Sequence, residues 1–245
     1  MKHTKHLMLS LAVAAATVTL ASCSDDNAVI NPAEAEENEK VAALTAINKQ
    51  YIEGTVYPTY ALLADSTACL FDALHAMKLK LQNDPMSLTD NDVEQACQIF
   101  IQARANYEAS EAFLFGAATD FGIDPHIDTW PLDLATLYKT LSNDALIKSY
   151  DTDDKDANAQ KANSDLGQTV LGFHGIEFIL FRDGQPRKAN ELNSYDSYNK
   201  DGLDFTKFTG EYEMIFAEAV AGDLRNSIYR LEVCWNENAP KSHFD

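Results

Sequence analysis

Apolar residues recur at helical spacing along most of the chain and nowhere alternate with a sustained period of two. Between Val41 and Leu81 they fall at Leu44, Ile47, Tyr51, Leu62, Leu63, Leu70, Phe71, Leu74, Met77 and Leu81. Such spacing lays an apolar stripe along a helix and does not suit a half-buried strand. Pro58 sits inside the run and predicts a kink or a break. Asn83-Asp84-Pro85 reads as a turn, and Thr89-Asp90-Asn91-Asp92 as a helix start with Thr89 as N-cap. The helix that follows is expected to run to about Ala117, burying Val93, Ala96, Ile99, Phe100, Ala103, Tyr107 and Phe113. Short helices are expected between Asp133 and Tyr150, a loop over Asp151–Lys161, and a helix over Leu166–Phe181. A long polar loop over 187–203 and a last helix over Phe205–Asn236 complete the reading. The class is all-α, a bundle of four to six helices.

Composition narrows the function. The chain carries 38 Asp+Glu against 19 Lys+Arg, a formal net charge of −19. Nucleic-acid binding is excluded as an expectation, because phosphate neutralisation needs clustered basic residues. No uncharged apolar run reaches the ~20 residues of a membrane span.

The first residues read as an export signal. Lys2 and Lys5 precede the uncharged stretch from Leu7 to Leu20, which is short for a span and is followed by small residues. Leu20-Ala21-Ser22-Cys23 resembles a bacterial lipobox, with Cys23 as the lipidated first residue of the mature chain. The expected organisation is a signal peptide over 1–22, an acidic tether over 23–39, a helical domain over 40–237 and a tail over 238–245. The tether holds Asp25, Asp26, Glu34, Glu36, Glu37 and Glu39 with no basic residue, a self-repelling run. Acyl chains on Cys23 would hold the protein at a membrane, the outer membrane in this reading, facing either the periplasm or the cell surface. The other cysteines, Cys69, Cys97 and Cys234, show no C-x-x-C spacing. A Cys69–Cys97 disulfide is an open option; small buried thiols are the alternative.

One spacing carries chemistry. Gly172-Phe173-His174-Gly175-Ile176-Glu177 falls inside a predicted helix, so His174 and Glu177 share a face. Gly172 and Gly175 cost about 1 kcal/mol each in a helix interior, which points to close helix approach or to access of another group. An imidazole and a carboxylate so placed suit a divalent metal, iron or zinc. They equally suit a hydrogen-bonded pair in a polar core layer, since two ligands do not close a metal site. On spacing alone Arg104, Tyr107, Glu108 and Glu111 form a solvated stripe, and Trp130 and Phe113 read as core.

The stretch Gly172–Leu180 resembles the G-x-H-x-x-E motif and apolar tail of the imelysin family. Arg104-x-x-Tyr107-x-x-x-Glu111-Ala112-Phe113, Ile127-Asp128-Thr129-Trp130-Pro131-Leu132-Asp133, Asp223-Leu224 and Trp235 resemble the same family, over about residues 40–237. The resemblance implies a helical protein of two bundles, of which the second is missing or reduced here. It also implies a bacterial envelope protein linked to iron uptake, or a zinc metallopeptidase. With it, Glu111 becomes a candidate third acidic ligand and Arg104 a candidate to orient it or to hold an anion. Gly172 becomes a candidate for ligand access. A peptidase reading lacks the second histidine of an inverted zincin, since Phe178 follows Glu177. His126 is a candidate to approach the site from its Pro-rich loop, and His75 reads as a core or surface residue. The expectations are therefore an envelope lipoprotein binding a metal ion or iron-bearing ligand beside uptake components, a zinc peptidase, or an interaction module with a structural His–Glu pair.

Overall fold

The structure is a computed structural model that describes residues 31–236. The export segment with Cys23 and the tail over 238–245 lie outside them. Two units are distinguished, one ending at Ala43 and one beginning at Leu44. The described part of the first is helical and belongs to α1 (Pro32–Tyr51). From Pro32 onward the expected tether is thus helix, with Glu36 and Lys40 paired one turn apart at 2.7 Å.

In the second unit the stripe Leu44, Ile47 and Tyr51 is solvent-exposed, not core as its spacing suggested. Pro58 does not break the chain's helical course. A π-helical turn (Ile52–Val56) leads into α2 (Tyr57–Asn83), and Pro58 occupies the first turn of α2, where a missing N–H costs least. Thr89 caps α3 (Asp90–Ala109) with a capping box closed by Asp92. α3 ends eight residues short of the expected Ala117, in a 3₁₀ turn (Glu111–Phe113).

Four short helices follow: α4 (Ala117–Asp120), α5 (Asp124–Ile127), α6 (Leu134–Leu141) and α7 (Asp144–Lys148). The segment read as a loop over Asp151–Lys161 is largely α8 (Lys155–Asp165), capped by Asp154 accepting from the Ala157 N–H. Only small residues, Ala159 and Ala162, and Asn158 are buried on it, so it carries no apolar stripe to read. α9 (Gly172–Leu180) is shorter than expected because a 3₁₀ turn precedes it. It ends in a hairpin, β1 (Phe181–Arg182) and β2 (Gln185–Pro186). Asp183 and Gly184, both at positive φ (49° and 72°), make the two-residue turn. The stretch over 187–203 is not a plain loop either. It holds α10 (Ala189–Leu192) and the first strand of a second hairpin, β3 (Asn199–Lys200) with β4 (Leu203–Asp204).

α11 (Gly210–Cys234) is the axis of the bundle. Every residue from Glu213 to Leu224 is buried, so it is covered on all sides, by α2, α8 and α9. Gly222 permits this: a Cβ there would lie 2.8 Å from the Ala159 Cβ of α8. Two buried ionic clusters pin the surroundings to it. Lys78 reaches Glu218 and Asp151 at 2.6 and 2.8 Å, and His75 meets the same Glu218 at 2.5 Å. Arg187 donates to Glu213 and to the Ile179 and Glu191 carbonyls, while Arg182 pairs with Asp196. The all-α class holds, with the two small hairpins as additions. Cys97 and Cys234 are buried as read, but Cys69 is exposed, and no disulfide joins Cys69 to Cys97.

Candidate functional site

The two glycines of the motif act on backbone approach. Gly172 has φ +66°, and a Cβ on it would lie 2.0 Å from the Ile127 carbonyl oxygen. A Cβ on Gly175 would lie 2.2 Å from the Val170 carbonyl oxygen. Any side chain at either position would push α9 off its neighbours. The seat of Gly172 on Ile127 has a chemical result: Asp128, the next residue, comes within reach of His174.

His174 lies between two carboxylates. Its Nδ1 is 2.9 Å from Glu177 Oε2 and its Nε2 is 3.2 Å from Asp128 Oδ1. The same Asp128 oxygen accepts from Arg104 of α3, whose other terminal nitrogen is 2.6 Å from Glu108. Hydrogen bonds to Asp128 and then Glu177 outweigh burial and push the His174 pKa up to about 9. Burial would raise Asp128, but His174 and Arg104 hold its carboxyl below the usual range. The neutral-pH state is an imidazolium and a guanidinium sharing one carboxylate. Phe173 supports it from below, packed against Phe100 and Tyr107, with the Arg104 guanidinium over the Tyr107 and Phe173 rings.

Beside this cluster lies a groove of about 600 Å³, walled by Phe100, Ile101, Trp130, Leu134 and Phe181. Arg104, His174, Glu177 and Asp183 reach the same space. Trp130 is not core. It is 70% exposed and its ring centroid stands 4.7 Å from that of His174. Phe113, by contrast, is buried as read.

The structure brings together His174, Glu177 and Arg104. Glu111, on the 3₁₀ turn beyond α3, stands at the edge of the cluster: a hydrogen bond with Glu108, the partner of Arg104, raises its pKa. Gly172 touches backbone. His126 is held elsewhere, 2.7 Å from Asp223 with Asn163 alongside. Sequence reasoning missed the role of Asp128, although it stands in the Ile127–Asp133 stretch, because nothing in the sequence places that stretch against His174.

The family suggests a metal, and the donors as placed do not fit a resident one. Both nitrogens of His174 face carboxylates, so an ion bound there would have to displace one of these contacts. Among the described residues no group of three or more His, Cys, Asp or Glu is arranged to hold an ion.

The imelysin profile (peptidase M75) matches residues 56–245, most of the chain. The chain belongs to the imelysin family. It is 29% identical over 136 residues to iron-regulated protein A of Synechococcus elongatus, a match covering 56% of this chain and 31% of that protein. Its fold is similar to the crystal structure of an iron-regulated protein A precursor from Parabacteroides distasonis, with a TM-score of 0.60 at 22% identity. That likeness covers 81% of this chain and 48% of the other. This imelysin-family chain thus spans about half the length of its solved relative, and less of the curated one.

Proposed function

We propose that this chain is an envelope lipoprotein that binds an iron-bearing ligand for iron acquisition, and that it is a binding component and not a peptidase. The observation that carries the reading is the groove beside His174. At about 600 Å³ it lies within the 300–1,000 Å³ typical of small-molecule sites. Its walls are apolar and its polar groups converge at one end, which is how such sites fix orientation. The name of the Synechococcus relative supports the link to iron. The saturated donors of His174 favour a ligand that brings its own iron over a bare ion. The lipobox ending at Cys23 supports the envelope.

The test is protein purified without a histidine tag, assayed for metal and titrated with ferric chelates while Trp130 fluorescence is followed. The expected result is little co-purifying metal and saturable quenching by a ferric chelate. Stoichiometric metal lost on His174→Ala would instead make His174 a metal ligand. Chelator-sensitive cleavage of an unfolded protein, abolished by Glu177→Gln, would restore the peptidase.

A further inference from the structure

The charges around the groove are unequal. Arg104 is engaged by Asp128 and Glu108, and His174 by Asp128 and Glu177. Both cations are therefore already compensated, and an incoming anion would have to displace a carboxylate. On the other side of the account, Glu177 is 49% exposed and uses one oxygen on His174. Asp183 is exposed at the tip of the β1–β2 turn, facing the same space. Three cations, Arg104, His174 and Arg182 (itself paired with Asp196), stand against Glu108, Glu111, Asp128, Glu177 and Asp183.

The walls point the same way. Aromatic faces here already carry cations: Arg182 lies 3.9 Å from the Phe178 centroid, and His174 stands against Trp130. Most of the Trp130 surface remains open, next to Phe181 and the carboxylate of Glu177. An aromatic face beside a half-exposed carboxylate with one oxygen unused, and an exposed Asp183, suits an organic cation, with the ring attracting it by its quadrupole.

We propose that the groove selects cationic ligands, an apolar body bearing an ammonium group, with the ammonium held between Glu177, Asp183 and the Trp130 face. The proposal rests on the reading of the groove as a binding site and adds the charge class of what it takes. Anionic ferric complexes, such as citrate or catecholate chelates, are then poor ligands.

The experiment follows Trp130 fluorescence in the full chain. Trp235, the other of the two tryptophans, is buried and serves as background. The probes are a ferric trihydroxamate with a free ammonium (ferrioxamine B), its N-acetylated form, ferric citrate, and iron-free benzyltrimethylammonium. The free ammonium is expected to bind about fivefold more tightly than the N-acetyl form, as an exposed cation–π contact and ion pair allow. That preference should shrink as salt is raised. In the double variant Glu177→Gln, Asp183→Asn the two complexes should bind equally; Asn tolerates the positive φ of position 183. Equal binding of the two complexes by the unmodified chain, or tighter binding of ferric citrate, would overturn the proposal. If benzyltrimethylammonium binds and no ferric complex does, the charge preference stands and the iron reading falls. If no probe binds, both fall.

Discussion

At the scale of single residues, His174 makes a titration the clearest observable. Its folded pKa of about 9 stands above the ordinary 6.5. The imidazolium contacts therefore stabilise the fold fully below pH 6.5, and that contribution is lost as pH rises through 9. Because Glu177 is half-exposed, solvent screening reduces the loss to on the order of 1–2 kcal/mol. Urea unfolding at a series of pH values should show this fall in the unmodified chain and a flatter profile in His174→Gln. Gly172→Ala tests the seat of α9. Its Cβ would meet the Ile127 carbonyl, so the expected loss is about 2 kcal/mol or more. The shift of Asp128 away from His174 should also lower the imidazole pKa, readable by NMR. The glycines at 172 and 175 pointed to close helix approach or to access of another group, without separating the two. The sequence did not show what approached, because Ile127 and Gly172 lie 45 positions apart and the contact is made by a carbonyl.

Among elements, the β1–β2 hairpin and α10 depend on one buried guanidinium. Arg187 is 2% exposed and 2.9 Å from Glu213, whose pKa burial pushes up to about 8. Arg187→Leu removes one partner of a buried pair and should cost about 3–5 kcal/mol in chemical denaturation. The double variant with Glu213→Leu should recover part of that, since the stranded buried carboxyl goes too. Helix type was legible wherever large apolar residues recur, as in α2, α3 and α11. It was not legible in α8, where alanines do the packing and the residues around them are polar. Nor was burial legible from periodicity alone: the stripe on α1 has the right spacing and stays in solvent. The Asp183-Gly184 turn, just past the helix expected over Leu166–Phe181, was not legible as a hairpin, because a Gly after a helix also serves as its stop.

For the whole molecule, the family and the all-α class could be read from motif order, while the groove could not. Its walls come from α3, the segment after α5, α9 and β1, and their meeting is a property of the fold. None of the described helices is long and apolar enough to cross a membrane. Membrane attachment therefore rests on Cys23 in our reading. Cys23→Ala should move the protein from the membrane fraction to the soluble one; retention through a high-salt wash would contradict the lipid anchor.

The burial of α11 on every side has a consequence for how the chain matures. It follows all the other described elements in sequence, yet it forms the centre that they cover. Until residues 210–234 emerge from the ribosome, α2 can close only on α3, and α8 and α9 lack their main partner. The nascent chain should thus stay loose through most of its synthesis, a state that a secretion channel can thread. A nonsense mutation before α11 would leave at most the α2–α3 pair packed, and the rest of the chain open to proteolysis.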